Sequence, residues 1–319
     1  MWSLIPLFIP DEYPSLKAVK SFRDSYHGYD PEAWELEYQI RRYLKYVNGE
    51  ELKARHSEIC KNLLFFSERH KAVIPRQSIS SLWYWVLKEY QTRYEFFLRN
   101  EKEAISEQTE LLKELCRSYC NCAPVRESNY LYRYSKEKYI HKFIYEGELR
   151  IQPASQYAHY IGDIARNDDE LLKKLFFPND YTRFTTSNGD TIPIIGNISY
   201  NYTTSNYYTL CISSLYSDKL KGEFGGACAV IKNKDAFIHR LKSATRDIFK
   251  NKYFFHADIQ YYDPYLDRNK NVFSPIFFKD FKFTYQNEYR FIWEDGRHQM
   301  ENDAITVRLG DLTDIVEQA

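Results

Sequence analysis

Apolar residues recur every three to four positions through the first third of the chain. Leu36 and Ile40 lie on one such stripe, and the same period continues further along the chain. This spacing is typical of amphipathic helices, because residues three and four apart share one helix face. Asp30-Pro31 suits a helix start, with proline at the first helical position. We therefore predict helices over 35–47, 51–68 and 78–119, with a break near Asn100 and no strand within 31–122, and a strand or extended arm over 1–10.

The pattern changes near residue 122, where the segment 121–128 contains Pro124 and a polar cluster typical of a linker. Beyond it, short runs of alternating apolar and polar residues predict strands. The predicted strands cover 129–134, 149–152, 207–212, 227–231, 254–262 and 281–293, and the predicted helices cover 136–145, 155–176 and 234–250. The polar stretch 177–206 predicts a long functional loop. The sequence thus predicts an α+β fold with a mainly helical domain over 1–122 and a sheet-containing domain over 123–319.

Charge and cysteine usage restrict the class of protein. Lys+Arg and Asp+Glu both number 44, so the formal net charge is zero and a large surface for duplex DNA is not expected. The apolar first ten residues are too short for a membrane span and lack the basic start of a secretory signal. Cys116, Cys120 and Cys122 lie close together but lack a second ligand pair at zinc-site spacing. We expect no metal site, no membrane association, free thiols and a cytoplasmic location.

Aromatic residues are abundant, with 29 Tyr and 21 Phe. Within the predicted strand 129–134, alternation places Tyr132 and Tyr134 on one face and Arg133 on the other. An arginine fork suits a pyrophosphate, and tyrosine rings can stack on a flat ligand. The alternative is a buried tyrosine pair beside an exposed arginine.

Two further motifs combine polar groups near predicted element ends. Asn167 and Asp168 lie in the acidic segment 166–170, which is a candidate ligand-binding turn or an ordinary cap of the next helix. Ser213 and Ser214 end the predicted strand 207–212, where their hydroxyls are candidates for binding a sugar or orienting a carboxylate. An ordinary strand end and turn is the alternative.

The predicted strand 281–293 has the clearest alternation in the chain. Thr284, Gln286, Glu288 and Arg290 share one face, and aromatic residues dominate the other. A glutamate between glutamine and arginine on such a strand is a candidate for a cleft. The alternative is an amphipathic strand whose Glu288 and Arg290 lie on a solvated face.

The order of these motifs resembles a bacterial family of mono-ADP-ribosyltransferase-like proteins that includes toxin and phage-defence members. The family pattern is a Y-[RK]-[YF] strand, an N-D-P-x-E motif, a strand ending in serine and a closing E-x-E-x-R strand. The resemblance covers roughly residues 129–295 and does not cover the helical part. Asp169 replaces the proline of the second motif, and Gln286 replaces the first glutamate of the last one.

The resemblance implies a split mixed or antiparallel β-sheet domain that uses NAD as its substrate. Glu288 would stabilise the positive charge that develops on the ribose when nicotinamide leaves. Gln286 and the loop 177–206 would face the acceptor, a protein or a nucleic acid, and Arg290 would complete the catalytic motif. The implied NAD-binding residues are Tyr132, Arg133, Tyr134, Asn167, Asp168, Tyr208, Ser213 and Ser214.

Two alternatives of other classes remain open at the sequence level. One alternative is that the C-terminal domain is a catalytically inactive module that binds a nucleotide or a partner. The departures from the family pattern at Gln286 and Asp169 fit this alternative. A nuclease or RNA-binding toxin is disfavoured by the zero net charge. An antitoxin or regulatory partner is a further expectation, bound through the helical N-terminal domain.

Overall fold

Four helices and one short hairpin form the described N-terminal part of the protein. The computed structural model describes residues 31–67, 72–75, 84–119, 129–159, 169–177, 184–194, 196, 198–265, 275–294 and 303–319. The helices are α1 (Pro31–Ile40), α2 (Gly49–Asn62), α3 (Tyr84–Leu98) and α4 (Lys102–Tyr119), and strands β1 (Leu64–Ser67) and β2 (Ala72–Pro75) pair antiparallel.

The helical prediction is confirmed for this part, with two corrections. The break near Asn100 is present, because Asn100 adopts a positive φ of 61° between α3 and α4. Helix α1 starts at Pro31 as expected but ends at Ile40. The prediction of no strand within 31–122 was wrong, since residues 64–67 and 72–75 pair as antiparallel strands and 64–67 do not continue α2. The predicted arm over 1–10 lies outside the described residues.

The helical part shares its hydrophobic core with the C-terminal part. Tyr38, Leu52 and Trp85 are buried in this core, and Phe281 enters it from far along the chain. The rings of Trp85 and Phe281 lie 5.1 Å apart. Arg55 of α2 also donates two hydrogen bonds, of 2.8 and 2.7 Å, to the buried carboxylate of Asp263. The segment around Phe281 is therefore held by the helices.

An eight-stranded antiparallel sheet forms the centre of the C-terminal part, which confirms the α+β class. Its strands are β3 (Leu131–Lys136), β4 (Glu148–Pro153), β9 (Tyr208–Ser213), β10 (Gly226–Ile231), β11 (Tyr253–Asp258), β14 (Glu288–Glu294), β15 (Ile305–Arg308) and β16 (Val316–Gln318). Their main order in the sheet is β11-β14-β9-β3-β10-β16, and β4 pairs with both β9 and β15.

Helices α5 (Glu137–Glu146), α6 (Asp218–Phe224) and α7 (Lys234–Thr245) accompany this sheet. In the larger core on one sheet face, Phe237 of α7 packs between Phe143 of α5 and Phe291 of β14. Gly147 ends α5 with φ 62°, and a Cβ there would lie 2.5 Å from the carbonyl oxygen of Gly310. Only glycine fits this close approach without strain.

The chain outside the large sheet departs from two predictions. The predicted helix 155–176 was wrong in its described parts, which form a 3-10 helix (Ala154–His159) and β5 (Leu172–Phe177). Strand β5 pairs with β8 (Ile198–Thr203), so the predicted loop 177–206 contains strands, including the short pair of β6 (Phe184–Thr185) and β7 (Thr191–Ile192).

The predicted strand 281–293 is correct only from Glu288 onward. Residues Phe281–Gln286 form a 3-10 helix, because Asp280 caps it at Lys282 N and Asn287 ends it in the left-handed conformation. A short 3-10 helix (Pro275–Phe277) and β13 (Phe278–Asp280) precede it, and β13 pairs in parallel with β12 (Gln260–Tyr262). Every helix in the described residues is too short or too polar to span a lipid bilayer.

Candidate functional site

Three of the four sequence motifs meet because their strands are neighbours in the sheet. Tyr132 of β3 lies opposite Ser213 of β9, and Ser213 lies opposite Glu288 of β14. These three residues therefore form one row across three adjacent strands. Directly opposed residues on neighbouring strands point to the same face of a sheet. The row brings an aromatic ring, a hydroxyl and a carboxylate to one place.

A pocket of about 80 Å³ lies over this row. Its walls come from three strands, from α6 and from the 3-10 helix at 281–286. The lining residues are Tyr132, Tyr134, Cys211, Ile212, Ser213, Leu220, Phe224, Gln286 and Glu288. Five residues of the sequence prediction are thus brought together here. The volume suits a single ring or sugar and is well below the roughly 300 Å³ of sites that enclose a whole drug-sized ligand.

Strand β14 separates its charged and aromatic residues onto two faces. Tyr289, Phe291 and Trp293 enter the large core, while Glu288 and Arg290 point to the pocket side. The solvated-face alternative was wrong, because Glu288 is 5% exposed and Arg290 is fully buried. Buried charges are stable only when they are paired and hydrogen-bonded, so their partners define the site.

Arg290 is the centre of a buried ionic cluster behind the pocket. Its Nε donates to Glu288 Oε1 at 2.6 Å, and its Nη2 donates to Glu170 Oε1 at 2.8 Å. Its Nη1 donates to the carbonyl oxygen of Ile276 at 2.8 Å and to the hydroxyl of Tyr207 at 3.1 Å. These bonds hold the Glu288 carboxylate in one orientation.

Two lysines complete the cluster. Lys279 Nζ donates to Glu288 Oε2 at 3.0 Å and to Gln286 Oε1 at 3.1 Å, and it lies 3.3 Å from Glu170 Oε1. Lys173 Nζ lies 3.6 Å from Glu170 Oε2. The cluster therefore contains three cationic and two anionic side chains, all almost completely buried.

This arrangement keeps Glu288 ionised at neutral pH. Burial by itself raises the pKa of Glu288, but the nearby charges of Arg290 and Lys279 outweigh it and lower the pKa to about 2. The pKa of Glu170 is lowered in the same way, with burial opposed by Arg290 and the two lysines. An ionised carboxylate can stabilise positive charge but cannot serve as a general acid.

Cys211 lines the same pocket, and its surroundings disfavour the reactive thiolate form. Burial, followed by the negative charge of Glu288, raises the pKa of the Cys211 thiol to about 12. The thiolate is the reactive form of cysteine, and at neutral pH this side chain is protonated. The pocket thus offers no activated thiol among its described residues.

The serine hydroxyls of the motif bind the backbone. Ser213 Oγ lies 2.7 Å from the carbonyl oxygen of Gln286, and Ser214 Oγ donates to the carbonyl oxygen of Asn287 at 3.1 Å. Both bonds fix the turn that joins the 3-10 helix to β14. The serines therefore hold Gln286 and Glu288 in place, and Ser213 additionally lines the pocket.

The tyrosines of β3 form the aromatic wall. The Tyr134 hydroxyl donates to the carbonyl oxygen of Leu215 at 2.6 Å and accepts from Ser217 N at 2.8 Å. The ring of Tyr132 contacts Tyr216 edge-on, with centroids 5.8 Å apart. These contacts hold residues 215–217 against β3 and fix the tyrosine rings that form the aromatic wall of the pocket.

Two of the predicted residues, Arg133 and Tyr208, lie away from the pocket. Arg133 lies on the opposite sheet face, where its guanidinium carbon is 5.3 Å from the ring centroid of Phe143. Tyr208 is buried in the large core, and its ring lies 5.1 Å from that of Phe249. Strand alternation explains both placements. Asn167 and Asp168 lie outside the described residues.

Other site residues had no clear signal in the sequence. Lys279 lies in a segment with no motif, and Tyr207 lies one position before β9. Glu170 belongs to the acidic segment 166–170, for which the sequence offers a helix cap as one interpretation. The charge pattern of that segment does not indicate that Glu170 is a buried partner of Arg290.

One described group has the chemistry of metal ligands, namely His56, Cys60 and Glu89 in the helical part. His56 Nε2 lies 2.8 Å from Glu89 Oε1, and Cys60 Sγ lies 3.7 Å from both ring nitrogens. Arg93, however, donates to both oxygens of Glu89. A guanidinium in that position competes with a cation, so these residues form an ion-paired network. The side chains of Cys116, Cys120 and Cys122 lie outside the described residues.

The pocket therefore combines a rigid ionised carboxylate with a tyrosine wall and a glutamine amide. Such a site can bind a small ring and stabilise a cationic centre beside it. No protein-family model, no curated protein and no solved structure matches the chain.

Proposed function

We propose that the protein is an NAD-dependent mono-ADP-ribosyltransferase of the toxin or phage-defence type, with a protein or nucleic acid as acceptor. The observation that carries the proposal is the row of Tyr132, Ser213 and Glu288 across three adjacent strands. Motifs that serve one site must lie close together in the fold. The pairing of β3, β9 and β14 supports the proposal, because it brings together motifs that are far apart in sequence.

Glu288 would act on the charge that develops during the reaction. The bond between C1′ of the ribose and the nicotinamide nitrogen breaks, and its electron pair leaves with the nicotinamide. The ribose acquires oxocarbenium character, and the acceptor then attacks C1′ and gives up its proton. A preoriented carboxylate near the ribose lowers the energy of this transition state. The low pKa of Glu288 keeps the carboxylate charged for this role.

The pocket walls would hold the ring and sugar end of NAD. Tyr132, Tyr134 and Phe224 offer flat or apolar surfaces, and Gln286 offers an amide beside Glu288. The enclosed volume of about 80 Å³ suits one ring or one sugar, so the rest of this end would lie at the mouth of the pocket. The adenylate end would extend beyond the enclosed part, where Arg133 is not available to bind a phosphate.

A second candidate function is favoured by the ion pairs of Glu288. Both of its oxygens accept hydrogen bonds, one from Arg290 and one from Lys279. A carboxylate neutralised in this way exerts a weaker field on a ligand. The chain would then be a module that binds a nucleotide or a partner without turnover.

The deciding experiment is nicotinamide release from NAD labelled in its adenylate part, with and without cell lysate. The wild type is compared with Glu288→Gln and with Glu294→Gln, a matched control at the other end of the same strand. NAD affinity is measured in parallel by calorimetry. Nicotinamide release in the wild type and the control, lost by orders of magnitude in Glu288→Gln with NAD affinity kept, supports the transferase.

The other outcomes separate the two candidates. NAD binding without nicotinamide release in the wild type supports the binding module. Release that is equal in the wild type and in a folded Glu288→Gln variant refutes the role of Glu288. Transfer of label to protein or to nucleic acid in the lysate identifies the class of acceptor.

A further inference from the structure

Lys279 joins the two polar side chains of the pocket. Its ammonium donates to Gln286 Oε1 and to Glu288 Oε2, at 3.1 and 3.0 Å. The lysine is carried by β13, which immediately precedes the 3-10 helix that ends at Gln286. One side chain thus contacts the residue before the left-handed turn at Asn287 and the residue after it.

The bond to Gln286 determines which way its amide points. An amide has one carbonyl acceptor and one NH₂ donor, and Lys279 can only donate. The carbonyl oxygen therefore faces Lys279, and the nitrogen lies on the other side of the amide, 3.5 Å from the Tyr285 hydroxyl. Glu288 is ionised and can only accept. The two pocket residues consequently offer opposite hydrogen-bonding characters.

We propose that Lys279 is a positioning residue that sets the hydrogen-bonding pattern of the pocket, so that the pocket selects a sugar hydroxyl that accepts from Gln286 and donates to Glu288. The inference rests on the proposed function and names the residue that gives the site its preference for a ribose. A fully ionised phosphate or carboxylate has no proton to donate to Glu288. A neutral hydroxyl does both and meets no repulsion from the carboxylate.

The charged surroundings of Glu288 show what the loss of Lys279 would change. Arg290 remains on the same strand, and Glu170 remains on the segment before β5. Three titratable groups that are neutral at pH 7 also interact electrostatically with the Glu288 carboxylate. They are Cys211, Tyr157 and Tyr207. Removing Lys279 leaves two carboxylates with Arg290 and Lys173, so the cluster becomes balanced in charge and Glu288 loses one of its two donors.

Lys173 provides a matched control. Its side chain is 3% exposed, against 5% for Lys279, and it also pairs with Glu170. The two lysines differ in that Lys279 donates to both polar pocket residues, whereas Lys173 lies near the far oxygen of Glu170. Lys173→Met removes a buried positive charge from the same cluster without touching the hydrogen bonds of Gln286 or Glu288.

The first measurement compares the binding of two cationic probes, nicotinamide riboside and 1-methylnicotinamide, to the wild type and the variants; the two probes carry the same pyridinium charge and differ in the ribose. We expect the wild type to prefer the riboside, Lys279→Met to lose at least about tenfold of that preference, and Lys173→Met to keep it. Lys279→Arg should retain part of the preference, since it keeps charge and donors. An equal preference in the wild type and Lys279→Met overturns the inference, as does a wild type without any preference.

The second measurement follows the Glu288 carboxylate directly by isotope-edited infrared titration, with Glu288→Gln used to identify its band. Loss of a neighbouring cation raises the pKa of a carboxyl, by about 1–3 pH units for close pairs. We expect Glu288 to protonate at higher pH in Lys279→Met than in the wild type and in Lys173→Met. Coincident titrations in all three overturn the inference.

Two further features keep the result interpretable. Lys279→Gln keeps a hydrogen-bond donor while it removes the charge. It therefore replaces Lys279→Met if that variant does not fold, and the same rise in the pKa of Glu288 is expected. Neither readout requires turnover. A wild type that releases no nicotinamide from NAD would refute the proposed function, whereas Lys279 would still be judged by the probes and the titration.

Discussion

Arg290→Met is the most informative single perturbation of the stability of this protein. The side chain is fully buried and donates four hydrogen bonds, two to carboxylates, one to a backbone carbonyl and one to Tyr207. Methionine fills part of the volume but replaces none of the donors. The variant leaves Glu288 and Glu170 buried with one cation fewer, and the carbonyl of Ile276 loses its bond.

The expected cost follows from these losses. Removing one partner of a buried ion pair destabilises a protein by about 3–5 kcal/mol, mostly because a charge stays buried without its partner. At a urea slope of about 3 kcal/mol/M, this loss lowers the unfolding midpoint by more than about 1 M. Arg308→Met is the matched control, because Arg308 is 67% exposed and pairs with Glu148 at the surface. Exposed pairs contribute little, so the control should unfold close to the wild type.

The assay is equilibrium urea unfolding followed by tyrosine and tryptophan fluorescence and by far-UV circular dichroism. The double variant Glu170→Gln with Arg290→Met adds a test of coupling. Because Glu170 and Arg290 contact each other, the double variant should lose less stability than the sum of the single variants. A loss below about 1 kcal/mol for Arg290→Met, or strictly additive costs in the double variant, would refute the description of a coupled buried cluster.

Three further predictions concern pH, thiol chemistry and the shared core. The pKa of Glu288 is lowered from 4.5 to about 2, so its stabilising contribution is complete above pH 4.5 and is lost as pH falls toward 2. In urea unfolding across this pH range, the free energy of unfolding should therefore fall more steeply in the wild type than in Glu288→Gln. Cys211, whose thiol pKa is raised to about 12, should react with iodoacetamide at pH 8 far more slowly in the folded protein than in urea, as followed by mass spectrometry. Phe281→Ala should cost about 3–5 kcal/mol in urea unfolding, because it empties a site in the helical core, while Tyr253→Ala at a 69% exposed position should not.

Local patterns predicted most of the strands of the large sheet. The strands at 149–152, 207–212 and 227–231 were placed within one or two residues, because their alternation or apolar runs coincide with the pairing that the fold requires. The faces of β3 and β14 also followed from alternation, which correctly separated Arg133 from its tyrosine neighbours and Glu288 from Tyr289.

Tertiary contacts overrode local patterns where the predictions failed. The run from Phe281 to Gln286 alternates like a strand, yet Phe281 packs into the helical core while Asn62 donates to the carbonyl oxygen of Lys282. The capping bonds of Asp280 and the left-handed Asn287 then favour a 3-10 helix. The local sequence pattern cannot predict that α2, which lies more than 200 residues earlier in the chain, contacts this segment.

The same contact explains why the site needs both parts of the chain. Lys279 and Gln286 lie on the segment between Pro275 and Asn287, and this segment is held on one side by α2 and on the other by β12. The bidentate pair of Arg55 with Asp263 also fixes the residue directly after β12 to α2. The helices therefore support the backbone that places Lys279 against Glu288. Truncating them would expose Phe281 and remove that support, so the C-terminal part alone is not an equivalent of the whole chain in any test of the pocket.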